Sequence, residues 1–399
     1  MSYLKSTILL SVFLIAGCAD QKSTSEKQWF KGNLHTHSYW SDGDEFPEVI
    51  MDWYKSNGYQ FIALSDHNIL AEGDKWVVIS QDSIYRNAFE NYLEDYGTDW
   101  VNYETDSLMQ IHVKLKTFKE YRGLFEEDGK FLIIQSEEVS DHFENKPLHM
   151  NVTNILKKID PQGGNSVVEV LQNNIDAAIK QRDEMNIPMI PHINHPNFHH
   201  AISLEDMIAL KDERFFEVYN GHPSVNNSGD SDHISTELMW DLINIAYIND
   251  NKPLMYGLAT DDSHHYHVKG STWSNAGRGW IMVQADSLNP ASIIKAMEEG
   301  QFYASTGVEL KKLILNKNTL NIEVEKEAGV SYTISFIGCK KGESEPEVLK
   351  SIEGAVASFE LNDDILYARC KITSSKKHSN PIEDLFFETA WTQPVQYLK

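Results

Sequence analysis

From residue 29 to about residue 305, short apolar runs alternate with longer amphipathic stretches. The runs "FKGNLHTHS", "YQFIALSDHN", "FLIIQSEEVS", "PMIPHINHP", "FFEVYNGH" and "LMYGLATDDSHH" each pass from apolar residues into polar, ionisable ones. Runs this short, bounded by turn-forming residues, predict buried strands. Between them the period lengthens. In "SVVEVLQNNIDAAIKQRDEMN", Val167, Leu171, Ile175 and Ala178 share one face at helical spacing. "PEVIMDWYKSNG" opens on Pro and closes on Gly, as a short helix does, and "DHISTELMWDLINIAYIND" and "NPASIIKAMEEG" predict two more. Repeated strand–helix units predict an α/β fold with a mainly parallel sheet, whose functional groups gather at the carboxyl ends of the strands. His67, Glu138, His195, Asp262 and His264 all fall there. A barrel brings such ends around one mouth, so a barrel is the expected architecture.

Three segments depart from this pattern. Residues 71 to about 128, rich in Tyr, Trp, Asp and Glu, interrupt it with an insertion long enough for a lid, a substrate wall or a pair of packing helices. From 308 to 399 short, partly alternating strands with polar turns predict a small β-sandwich-like domain. Its only histidine is His378, so chemistry is expected in the domain spanning 29–307. At the start, "MSYLKSTILLSVFLIAGC" places one lysine before an apolar run that ends in small residues and a cysteine. This predicts a signal peptide at 1–17. "LIAGC" resembles a bacterial lipobox, which implies a lipid anchor at Cys18, a polar tether over 18–28 and a place in the cell envelope, its face undetermined. Cys339 and Cys370 leave a disulfide and two buried thiols equally open.

Charge narrows the function. The 59 acidic and 35 basic residues give −24, which argues against nucleic acid or an anionic membrane as a partner by bulk electrostatics. An anionic substrate stays open, because multivalent ions reverse the potential locally. Sixteen histidines are the second unusual feature. The alternation in His35-Thr36-His37 sends both imidazoles to one side of an extended strand, with Asp42 five residues on. Together with His67, Glu138, His149, His195, Asp262 and His264 they form a ligand set larger than one ion needs. Imidazoles with carboxylates suit Zn, Mn or Fe, two or three per chain.

"LHTHSYWSDG", "IALSDHN", "EEVS", "LHMN", "NHP" and "TDDSH", in this order, resemble the metal motifs of the PHP (polymerase and histidinol phosphatase) domain. "GRGWIMVQ", "GQFYASTGVEL" and "AWTQPV" are similar to the carbaryl-hydrolase-like (CehA/McbA) group of these metallohydrolases. The resemblance covers residues 30 to 307 well and the tail loosely. It implies a distorted (β/α)7 barrel. His35, His37, Asp262 and a bridging Glu138 would hold a first metal, His149 and His195 would complete a second, and Asp42, His67 and His264 would hold a third. Glu138 is chosen over Glu137 by its register against "VS", and Asp262 over Asp261 by the D-x-H spacing.

The expected nucleophile is a metal-bound hydroxide. Asp261 is a candidate for orienting ligands or substrate, and Arg278, between Gly277 and Gly279, for binding an anionic product. His192 is placed behind a ligand, and His199, His200, His222, His265 and His267 in loops. The expected substrate is a small-molecule ester, first a phosphoester. A carboxyl or carbamate ester is the alternative, and a non-catalytic metal- or glycan-binding lipoprotein the reading from another class. A phosphoesterase mouth should show more than one Arg or Lys; an aryl-ester site should show an aromatic wall, for which Trp40, Trp76, Trp100 and Tyr103 are available.

Overall fold

The structure is a computed structural model that describes residues 27–383 and 385–398. The leader, Cys18 and all but the last two residues of the tether lie outside the described residues. Seven α-helices accompany one thirteen-stranded sheet and two three-stranded sheets among the described residues, a mixed α/β fold. None of those helices is long and apolar enough to cross a membrane.

The helices form where the pattern predicts them: Pro47–Ser56, Val167–Met185, Thr236–Asn249 and Pro290–Glu298. The Ser166, Ser235 and Asn289 side chains cap the last three by accepting from backbone N–H groups of the first turn. The strands Gln28–Asn33, Phe61–Leu64 and Leu132–Phe143 run parallel to one another. So do Ile190–Ile193, Phe215–Asn220 and Tyr256–Thr260. The sheet is more mixed than the pattern predicts. Leu132–Phe143 turns back through a hairpin into Lys146–Thr153, which pairs antiparallel with Ile190–Ile193, and Trp280–Ala285 runs antiparallel to Gln28–Asn33.

The expected closed barrel is not found among the described residues: Tyr256–Thr260 forms one edge of the sheet. Past that edge, Ser263 bridges in parallel to Thr36, beyond the end of the first strand. His37 N donates to Ser263 O and Asp262 N to His35 O, each at 2.9 Å. This short contact gathers the carboxyl ends of the strands without a continuous ladder. Inside lie Phe30, Leu34, Phe61, Ile134, Leu258 and Ile281, all buried. Gly32 is required here, since a Cβ would sit 2.1 Å from the Phe61 ring.

The insertion forms a three-stranded sheet, Trp76–Val78, Ile111–Lys114 and Tyr103–Thr105, with helices Ser83–Tyr96 and Phe118–Phe125. Its core packs on Trp40 and Phe46, so it supports the loop that carries Asp42. In the tail, Leu310–Asn316, Thr319–Val324 and Val356–Glu360 form a layer whose core is shared with Tyr332–Lys340 and Ile365–Lys377. The second layer is continuous with the large sheet, because Phe387–Thr392 pairs with both Phe302–Ser305 and Ile365–Lys377. Cys339 and Cys370 are buried free thiols, opposite Tyr367 and Phe336 rather than each other.

Candidate metal centre

At the gathered strand ends, His35 and His37 are fully buried. His35 Nε2 lies 3.3 Å from both Glu138 Oε2 and Asp262 Oδ1, and His37 Nε2 lies 3.2 Å from the same two oxygens. Donors about 2.0–2.1 Å from one ion in tetrahedral geometry stand about 3.3 Å apart. His35 Nε2, His37 Nε2, Glu138 Oε2 and His149 Nδ1 are buried without a hydrogen-bond partner. Buried polar atoms are rarely left so, and cations bound on the two sides of Glu138 would account for all four.

The other residues flank this group. His149 Nδ1 lies 3.0 Å and His195 Nε2 3.5 Å from the second oxygen of Glu138. On the opposite side, Asp42 lies 3.4 Å from His264 Nε2, 3.6 Å from His67 Nε2 and 3.8 Å from His37 Nδ1. All nine expected ligands therefore meet at one mouth, in overlapping groups of donor atoms that share His35, His37, His67 and Glu138. His195 and Asp262 adopt φ of 25° and 47°, strain that non-glycine residues accept mainly where surrounding structure enforces it.

Electrostatics points the same way. Burial disfavours protonation of His35, but Asp262, Glu217 and Glu138 outweigh it and raise its pKa well above the usual value. Burial likewise opposes ionisation of Glu138 and Asp262, yet the surrounding imidazoles hold both well below the carboxylate range. Burial, with His264 and His67 nearby, pushes His37 down to about 3, so it stays a neutral donor. The carboxylates thus demand positive charge at the point where the unpartnered atoms converge. The residues fit divalent metal.

The paired carboxylates separate by the alternation of the strand. Glu138 faces the mouth; Glu137 faces away, where burial raises it to about 7 and Oε2 accepts from Ile159 N at 2.9 Å. Asp262 enters the cluster, while Asp261 accepts from the N–H groups of Gly277, Arg278 and Gly279 and from the Tyr54 hydroxyl. Asp261 thus pins a turn behind the site.

Arg278 requires correction as a substrate cation. It is fully buried, and its guanidinium donates to the carbonyls of Gly221, Gly270, Trp273 and Asn380 and to Asn380 Oδ1. It ties the mouth loops to the tail and has no free face for a ligand. The aromatic wall is corrected as well. Trp40 is buried with its indole on Lys116 O, Trp100 donates to Glu48, and Trp76 and Tyr103 are exposed on the insertion. The cavity above the centre, about 440 Å³, is bounded by ligand residues together with Phe198, His222 and His265. His222 Nδ1 accepts from Ser224 N at 3.2 Å, which leaves Nε2–H as its donor. His200 instead pairs with Asp230, and His267 Nε2 lies 2.9 Å from Asp44 O.

Glu217 is the residue that sequence reasoning missed. Fully buried in Phe215–Asn220, it lies 2.7 Å from His35 Nδ1 and accepts from His195 N, Asn220 Nδ2 and Thr260 Oγ1. It thereby turns His35 Nε2 toward the centre, the usual service of a carboxylate behind a ligating imidazole. The available signal was a lone charge inside an apolar strand. His192 sits beside it, 3.7 Å from Glu217 Oε1. Glu217→Gln is expected to weaken metal binding about 10–100-fold while the chain stays folded, read by competition with a chromophoric chelator. Asp66 does similar work for the Asp42 loop by accepting from Ser38 N, Ser38 Oγ and Ser41 Oγ. Gly43 lets that loop close, since a Cβ there would lie 2.6 Å from the His37 carbonyl. In Gly43→Ala, metal content is expected to fall by one equivalent as Asp42 moves away, with the His35 group still loaded.

No family model matches the chain, and neither does any curated protein. Similar solved structures include a two-domain protein of Bacteroides vulgatus containing a predicted PHP-like metal-dependent phosphoesterase (12% identity, TM-score 0.38, 92% of this chain and 96% of that chain). Another is a predicted metal-dependent phosphoesterase of Bifidobacterium adolescentis (10%, 0.32, 67% and 94%). A third is an amidohydrolase of Chromobacterium violaceum with bound sulfate (11%, 0.28, 68% and 96%). Likeness at this level leaves the reaction open, and the chemistry rests on the side chains described above.

Proposed function

We propose that this chain is a metal-dependent hydrolase of the PHP type, acting first on phosphoesters. The observation that carries the reading is the convergence of His35 Nε2 and His37 Nε2 on Glu138 Oε2 and Asp262 Oδ1, each imidazole 3.2–3.3 Å from both oxygens, with the two imidazole nitrogens and Glu138 Oε2 buried and without a hydrogen-bond partner. Bound divalent ions would supply Lewis acidity, an activated water and, against the carboxylates of Glu138, Asp262 and Asp42, a net positive charge. The chain's own part is positional. Glu217 aims His35, Asn194 Nδ2 holds Glu138 Oε1 at 2.7 Å, and the backbone carbonyl of Asp262 lies 2.9 Å from His264 Nδ1. His222 offers Nε2–H at the cavity wall, where it suits a phosphoryl or leaving-group oxygen.

A second reading has its own support. Among the described residues no Arg or Lys lines the cavity, which also suits a neutral carboxyl or carbamate ester. The two are separated by assaying an aryl phosphate and the matching aryl carboxyl ester on one metal-analysed preparation lacking residues 1–20. Phosphate release with two or three metals per chain establishes the first reading, and ester cleavage alone the second. A chain that binds metal and cleaves neither is a binding protein. The same proposal places the protein at an envelope membrane through Cys18, on the strength of its leader.

A further inference from the structure

A second cavity, of about 430 Å³, opens between helix Pro47–Ser56, the start of strand Trp280–Ala285, the segment 265–277 and the tail near residue 379. It lies on the far side of the first strand from the interior. Phe30 and Leu34 point inward, so the alternation turns Lys31 outward into this space. The Lys31 ammonium sits 4.0 Å from the Tyr59 ring centroid and 3.9 Å from that of Trp280. It makes no hydrogen bond or ion pair among the described residues. Burial lowers its pKa, against the attraction of Asp261 and Glu309.

The charge of the lining is the second observation. In a chain of net charge −24, the fourteen residues around this cavity include Lys31, Lys269, His265 and His378 and no carboxylate. Trp53 and Trp280 add flat apolar surfaces. An ammonium held against two rings keeps its remaining face for an anion, and a charge-assisted contact there replaces an unpaired, partly desolvated cation. The cavity is distinct from the metal centre. Tyr266 stands between them, its hydroxyl 2.7 Å from Thr36 Oγ1 and 2.9 Å from Ser263 Oγ, while His265 borders both spaces.

We propose that this cavity is a second binding site, for a small organic anion with a planar apolar body. The anionic group meets Lys31 and the flat body lies against the indoles. The test is fluorine NMR of 4-fluorobenzoate with the full chain, in buffer containing EDTA so that no metal holds the carboxylate. Line broadening is expected with the wild-type protein, at an affinity about 10-fold or more above that for neutral 4-fluorobenzyl alcohol. Lys31→Met should lower the affinity about 10-fold or more, and Lys269→Glu, a change on an exposed loop with no packing role, several-fold. Absence of broadening with the wild-type protein, equal binding of the alcohol, or an affinity untouched by Lys269→Glu in a folded chain would each overturn the proposal.

Discussion

Glu138→Gln is expected to empty the centre of metal and to lower hydrolysis by more than about 100-fold, beyond the loss that partners behind a ligand produce. Both oxygens of Glu138 are engaged. Oε2 faces His35, His37 and His67, while Oε1 faces His149, His195 and Asn194. An amide removes the negative charge that would hold a divalent ion among these imidazoles and offers a donor where a ligand oxygen is needed. Metal analysis and the phosphate assay on the same sample check the result. A variant that retains its full metal complement would show that Glu138 does not join the groups of ligands.

Arg369→Met is expected to destabilise the fold by about 3–5 kcal/mol, because it leaves a buried charge without its partner. Arg369 is 1% exposed and makes a bidentate pair with Asp241, Nε to Oδ1 at 2.8 Å and Nη2 to Oδ2 at 2.6 Å. Glu237 and the Tyr367 hydroxyl complete the group, which fastens strand Ile365–Lys377 to helix Thr236–Asn249. Urea unfolding followed by circular dichroism reads the loss. The same group sets a pH dependence. Burial pushes Glu237 up, but Arg369 and Lys371 outweigh it and hold it at about 2. A depressed carboxylate contributes stability that is present above its unfolded pKa, near 4.3, and is lost as pH falls toward 2. Acid unfolding is therefore expected to become shallower over that window in Arg369→Met.

His67, Glu138, His195, Asp262 and His264 are legible in the sequence because each sits where an apolar run gives way to polar residues. The run places a strand, and the polar residue beyond it lands at the mouth. Register separates Glu138 from Glu137 and spacing separates Asp262 from Asp261, since one step along an extended chain reverses the face. Arg278 misleads for a physical reason. Its glycine neighbours signal close backbone approach, but the approach is by the Trp53 and Tyr219 rings and the Thr260 carbonyl and not by a ligand. Glu217 escapes because its charge lies inside a strand, where nothing in the local pattern distinguishes an aimed carboxylate from an isolated one. The open sheet escapes as well. Whether Tyr256–Thr260 ladders onto its neighbour depends on twist and stagger summed around the sheet, to which no single segment testifies. The tryptophans read as a wall pack instead beneath the Asp42 loop or on the outside of the insertion.

The contact between Thr36 and Ser263 joins residues 227 positions apart, and the donors of the centre are drawn from the whole stretch between. An unfolded chain offers an ion little more than the local His35–His37 pair. Assembly of the remaining donors waits on strand pairings of high sequence separation, the slow kind. Metal uptake is then a late event, coupled to completion of the sheet rather than preceding it. On the proposed reading, the ions acquired would be those present where the polypeptide finishes folding, so the compartment of folding would set which metal the centre holds.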